Sequence, residues 1–239
     1  MELILDNFKS AFGHILHLDV NIMRIFLLSL IVSGTATAIS AIFGIMIGAA
    51  IALSKFRGKR LLLAVINTGM GLPPVVVGLF VVLFLWRNGP FGSLHIIYTP
   101  WAMILAQVII SLPMVVGITI AGFQQIPVSL QLQVISLGAK RLQFLGIMIR
   151  ESRVTILAAV MAGFGAVISE VGASMMTGGN ISGQTRVLTT AIVSETNKGE
   201  FDMAIALAII LLIVTFVVNL AFTFIQQKDT KHEWKIYWK

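Results

Sequence analysis

The sequence predicts an all-α, polytopic membrane protein with about five transmembrane helices and a short interfacial helix at its N-terminus. Three observations predict it. The 239 residues are 57% hydrophobic and 11% charged, with a mean hydropathy of +0.96, whereas a soluble domain carries roughly 25% charged residues. The deficit is concentrated in long runs, Ile22 to Leu53, Leu61 to Trp86, Trp101 to Phe123, Val154 to Thr177 and Met203 to Ile225, and about 20 apolar residues rising 1.5 Å each cross a hydrocarbon core. None of these runs alternates in polarity as a barrel strand must.

Residues 1 to 20 lack the basic n-region, apolar h-region and small-residue cleavage site of a signal peptide. Ile4, Leu5, Phe8, Ala11, Phe12, Ile15 and Leu16 fall on one helical face, with Asp6, Asn7, Ser10 and His14 opposite. This pattern predicts a helix lying in the membrane interface. His14 and His17 have neither carboxylate nor thiolate support for a metal, and are read as part of the polar face.

The first span covers about 32 residues, or roughly 48 Å, and is therefore expected to tilt and to project beyond the bilayer. Gly34, Gly44 and Gly48, with Ser29, Ser33, Thr35, Thr37 and Ser40, supply small side chains for close helix contact. Lys55, Arg57, Lys59 and Arg60 follow and set this end in the cytoplasm. The stretch from Leu61 to Trp86 contains Gly69-Met70-Gly71-Leu72-Pro73-Pro74. Paired prolines start helices but do not continue them, so a short helix should end near Thr68 and a new one begin at Pro73. Arg87 to Pro100 reads as an outer loop, flanked by the interfacial aromatics Trp86, Tyr98 and Trp101.

The third span holds Pro113, an expected kink. Gln124 to Arg153 is amphipathic and carries Lys140, Arg141, Arg150 and Arg153, a cytoplasmic signature. The fourth span runs outward and is broken by polar and small residues from Ser169 to Arg186. The fifth returns to a tail with Lys228, Lys231, Lys235 and Lys239. All basic clusters then share one side, which gives an N-out, C-in topology in the cell membrane. The formal charge of +7 and the pI near 10.1 follow from this topology, and nucleic acid is not implied.

No catalytic engine is present. There is no cysteine, no phosphate-binding G-x-x-x-x-G-K-[S/T], no H-E-x-x-H and no G-x-S-x-G. Glu170 is the one acid well inside an apolar span, too few for an intramembrane protease or a proton-coupled carrier. Energy is therefore expected from another subunit. Glu170 lies about 16 residues, roughly 24 Å, beyond Val154, near the outer interface and within reach of water; both a tether across the break and a gate fit it. From Ser174 through Thr177 and Asn180 to Thr185 and Arg186, glycines, uncharged donors and one cation alternate. Such groups hold an oxyanion transiently, although a plain connector also fits. Gln124 to Arg153, apolar at Leu130, Leu132, Val134, Ile135 and Leu137, is expected to expose a surface that asks either for a partner or for the membrane surface.

These stretches resemble a known pattern. Gln131 to Glu151 is similar to the cytoplasmic loop of ABC-transporter permeases, E-A-A-x-x-x-G followed by an apolar helix. Gly138 takes the glycine position, Leu132-Gln133-Val134 stand in place of E-A-A, and Glu151 replaces the closing proline. Gly71-Leu72-Pro73-Pro74-Val75-Val76-Val77-Gly78 resembles the L-P-P-V-V-V-G of molybdate and related oxyanion permeases. Ser169-Glu170-Val171-Gly172-Ala173, with Gly179-Asn180-Ile181 and Thr185-Arg186, resembles their G-E-F-G-A and N-I-x-G-x-T-R. Asn67 to Pro74, Ile168 to Ala173 and Arg186 to Val193 are most similar to the tungstate-specific members. The match runs from about Ile22 to Ile225.

The resemblance implies a single permease domain over 1–239 with a type I importer fold, in which two copies line one pathway. It implies a cytoplasmic ATPase dimer that carries ATP and magnesium, with no cofactor in this chain, and an extracytoplasmic tungstate-binding protein. Gln133, Ser136, Leu137, Gly138, Ala139, Lys140 and Arg141, within the loop 124–153, would form the ATPase-coupling helix. Glu170, Ser174, Thr177, Asn180, Thr185 and Arg186 would form the pathway or gate. Molybdate or sulfate is the alternative cargo. A secondary anion carrier and an assembly factor without transport are alternatives of other classes.

Overall fold

The computed structural model describes the backbone from Val20 to Trp234 and the side chains as far as Gln227. The interfacial helix expected over residues 1–20, with His14 and His17, lies outside the described residues except for Val20. The tail lysines 228, 231, 235 and 239 lie outside the described side chains.

Ten α-helices, one 3₁₀ turn at Gly92–Leu94 and no strand make up the described residues. They are α1 (Val20–Leu53), α2 (Lys59–Met70), α3 (Pro74–Leu85), α4 (Pro100–Gln124), α5 (Val128–Ser136), α6 (Arg141–Glu151), α7 (Arg153–Ile168), α8 (Gly172–Gly178), α9 (Leu188–Lys198) and α10 (Phe201–Trp234). Three helices, α1, α4 and α10, are long and apolar enough to cross a membrane alone, and up to five spans result if each bent helix pair counts as one. The second and fourth apolar runs are therefore built in pieces. Gly71 closes α2 and Pro73 opens α3, as the paired prolines predict. At twelve residues, α3 is only about 18 Å long. The chain bends by 69° between α6 and α7. Helix α4 continues through Pro113.

The helices make two compact units. The first takes the described residues up to Ala36, with Pro73–Ile109 and Gly165–Val218. Within it, Ser29 Oγ donates to the carbonyl of Ile25 at 2.7 Å and accepts the Leu188 amide at 2.8 Å, which joins α1 to α9. Ile22, Leu188, Ala191 and Leu207 form a buried cluster beside this joint. Helix α3 packs on α8 at its glycines: a Cβ on Gly78 would lie 2.8 Å from the Ala173 Cα.

The second unit takes Thr37–Leu72, Ile110–Phe164 and the chain from Asn219. Here the small face of α1 meets α4. Added Cβ atoms on Gly44 and Gly48 would each fall 2.8 Å from Val115 and Thr119 side chains, and Ser40 Oγ lies 2.6 Å from Ser111 Oγ in the buried contact. This is the close approach that the small residues predict. Lys59 Nζ donates to the carbonyls of Ala52 and Ser54, both at 2.9 Å. It thereby satisfies carbonyls that the end of α1 leaves unpaired. Ala49, Phe123, Ile126, Val134, Met148 and Ile156 form the core that holds α5 and α6 in place.

Candidate pathway and coupling sites

The predicted coupling segment is a helix, a turn and a helix. Its sequence puts Val134 and Met148 on the buried side and leaves Leu132, Ile135, Leu137 and Leu142 outside, with Leu137 and Leu142 80% and 83% exposed. The turn between α5 and α6 depends on Gly138, whose φ of +79° is accessible to glycine at little cost. Ser136 Oγ donates back to the Gln133 carbonyl at 2.9 Å, and the Lys140 N–H donates to Gln143 Oε1 at 2.8 Å, which starts α6. A concavity of about 650 Å³ opens here, lined by Leu137, Gly138, Ala139, Gln143, Gly146, Ile147 and Arg150. Six of the seven predicted coupling residues are in the turn or the end of α5 beside it, and Arg141 is the first residue of α6.

The predicted pathway residues occupy the first unit. Glu170 is 6% exposed, so in this chain it is buried, contrary to the expectation of reach to water. The cause is local. The chain turns at Ser169–Val171, and the Glu170 carboxylate accepts the amides of Ala173 at 2.8 Å and Ser174 at 3.0 Å and the Ser174 hydroxyl at 3.2 Å. Those amides open α8 and have no partner within the helix. Thr189 Oγ1 donates to the Glu170 carbonyl at 3.0 Å, which binds α9 to the same break.

Ser174, Thr177 and Thr185 are fully buried. Thr177 Oγ1 donates to the Ala173 carbonyl at 2.7 Å, and Tyr98 N–H donates to the Thr177 carbonyl at 2.9 Å. Thr185 Oγ1 donates to the Gly178 carbonyl and accepts the Ile181 amide at 2.9 Å. Asn180 takes a φ of +49°, which asparagine tolerates, and its Oδ1 is buried with no hydrogen-bond partner. Within this chain these side chains shape the segment from Gly172 to Arg186. Arg186 differs, because it lines a cavity of about 260 Å³ with Ser182, Gly183, Gln184 and, from α1, Asn21 and Arg24.

Sequence reasoning missed two partners of this site. Arg24 interrupts the first apolar run near its start, a signal that was available. Glu195 carries no signal, since it stands about two turns into α9, nine residues beyond Arg186. Its Oε1 lies 3.5 Å from Arg186 Nη1, while Lys198 Nζ holds the same carboxylate at 2.8 and 2.9 Å. Among the described residues no cluster of His, Asp or Glu could hold a metal ion.

A family profile described as binding-protein-dependent transport system inner membrane component matches residues 40–229, most of the chain. The chain belongs to this family. As a member it is a multi-pass membrane permease component, in agreement with its apolar helices. It is 39% identical over 228 residues to the tungstate uptake system permease protein TupB of Peptoclostridium acidaminophilum, covering 95% of this chain and 100% of that one. It is 42% identical over 196 residues to a probable anion ABC transporter permease protein of Haloferax volcanii, covering 80% and 84%. Its fold is that of a bacterial ABC transporter involved in the import of the acidic polysaccharide alginate, with a TM-score of 0.76, 17% identity, and 95% of this chain and 90% of that one covered. The predicted all-α type I importer permease fold and the predicted family are thus both found.

Proposed function

We propose that this chain is the pathway subunit of an ATP-driven importer for tungstate, with both compact units acting in one permease domain. The observation that carries the proposal is the turn at Gly138. There, two leucines more than three-quarters exposed flank a mixed polar and apolar concavity, while Val134 and Met148 anchor the segment from behind. The depression is shallow and open, and beside the exposed leucines Gln143 and Arg150 offer polar groups that a partner protein can hydrogen-bond.

In this reading a cytoplasmic ATPase pair grips Gln133 to Arg141, and nucleotide binding and hydrolysis in that partner drive alternating access. The chain contributes no catalytic residue and no cofactor; ATP and magnesium belong to the ATPase. Two copies form the pathway in the cell membrane, N-terminus outside and C-terminus inside. A binding protein delivers the anion to the outer face, and Glu170 to Arg186 guide or gate it. The likeness to the tungstate permease over nearly the whole chain supports this cargo, and molybdate or sulfate is the second reading.

The test is reconstitution with the ATPase and binding protein in proteoliposomes. Uptake of tungstate is expected only with ATP. Uptake that persists without ATP on an ion gradient would establish a secondary carrier instead, and no oxyanion uptake at all would favour an assembly factor. Calorimetric titration of the binding protein with tungstate, molybdate and sulfate ranks the cargo.

A further inference from the structure

The geometry points to a capture site for a tetrahedral oxyanion dianion in the cavity that Arg24 and Arg186 share. This deepens the proposed function and rests on its reading of the chain as an oxyanion pathway. The cavity of about 260 Å³ is lined by the amino end of α1 on one side and by Ser182 to Gln184 and Arg186 on the other. A water occupies about 30 Å³ of liquid, so the space admits a five-atom anion that keeps part of its hydration.

The lining chemistry selects charge. Two guanidinium groups, one hydroxyl and two carboxamides line it beside the aliphatic side chains of Ile25, Leu27, Leu28 and Ile31, and no acidic side chain is among the lining residues. Guanidinium groups pair well with oxyanions because their N–H groups form a planar fork. Arg186 is held only loosely by its own protein partner. Glu195 is 3.5 Å away and is bound more closely by Lys198. Its Nε is buried and has no hydrogen-bond partner, a state that calls for an explanation in a folded protein. Arg186 meets the cavity through the part of its side chain that is exposed, 19% of it.

The other cation is accessible. Arg24 is exposed near the amino end of an apolar helix of 34 residues, where a long cationic side chain reaches the aqueous interface. Gly183 adopts a φ of +76° in the cavity wall and has open space around it. A side chain there would meet no protein atom within 4 Å, but would be strained and would project into the neighbourhood of the site. With the N-terminus outside, as proposed above, the cavity lies where the binding protein releases its cargo. Two cations without a fully enclosing wall attract the anion and still release it.

The test uses the full chain in nanodiscs, without the binding protein, and equilibrium binding of tungstate. The wild type is expected to bind, with sulfate competing and chloride not competing. Arg24→Gln should weaken binding by about tenfold or more, since charge-assisted hydrogen bonds are lost, and Arg24→Lys should recover a large part. Arg24 is exposed, so neither change should unfold the protein; Ser182→Ala supplies a second, uncharged probe, expected to weaken binding by a few-fold. Wild-type affinity in both Arg24→Gln and Ser182→Ala, or no binding by the wild type, overturns the site. Proteoliposome uptake separates this failure from that of the function. ATP-driven uptake by a wild type that does not bind tungstate in the cavity sinks the capture site alone. Tungstate binding that Arg24→Gln abolishes, in a protein that never imports tungstate, upholds the site and sinks the importer.

Discussion

The Glu170 carboxylate accepts both the backbone N–H and the hydroxyl of Ser174, so a single acid closes the break between α7 and α8. Glu170→Ala leaves the amides of Ala173 and Ser174 without an acceptor, at about 1–3 kcal/mol for each buried group. We expect a clear fall in the thermal unfolding temperature of the purified permease, with Glu170→Gln between the two. Uptake per folded molecule of Glu170→Gln then separates the roles: it is unchanged for a tether and reduced for a gate.

Gly138 has a φ of +79°, and beyond its chain neighbours no atom lies within 4 Å of where a Cβ would stand. Gly138→Leu therefore meets strain of about 1–2 kcal/mol from its backbone conformation but no clash within the chain. Membrane insertion should persist. Stimulation of the partner ATPase by the binding protein should fall several-fold. Normal coupled uptake in this variant would count against the turn as the docking element.

Leu137 and Leu142 are expected to bury their side chains only in the assembly. Leu137→Glu with Leu142→Glu should change the thermal stability of the isolated permease by no more than about 0.5 kcal/mol, as exposed sites do. Co-purification with the ATPase should be lost. Full retention of the ATPase would return these leucines to the membrane surface.

Two glycines of the apolar helices should respond oppositely to alanine. Gly78→Ala places a Cβ 2.8 Å from the Ala173 Cα, and overpacking of this kind costs about 1–3 kcal/mol. Gly34→Ala meets nothing within 4 Å and gains helix propensity of up to about 1 kcal/mol. Thermal unfolding of the two variants in detergent checks the sign of each. A loss of stability in Gly34→Ala would reveal packing against another chain.

Composition and apolar run length determined the helical membrane fold, because the bilayer leaves a backbone few ways to satisfy its hydrogen bonds. Local chemistry determined the break at Pro73 and the turn at Gly138, where one missing donor and one positive φ decide the path. The family was legible in short motifs whose residues are adjacent in the chain.

The tertiary structure alone decided which polar groups are consumed and which stay available. Glu170, expected near water, is buried because α8 turns its amides onto the carboxylate. Ser174, Thr177 and Thr185 become internal ties, and Arg186 remains at a cavity with Arg24, 162 residues earlier in the numbering. A motif records neighbours along the chain, whereas burial and partnership depend on neighbours in space, which only helix packing brings together.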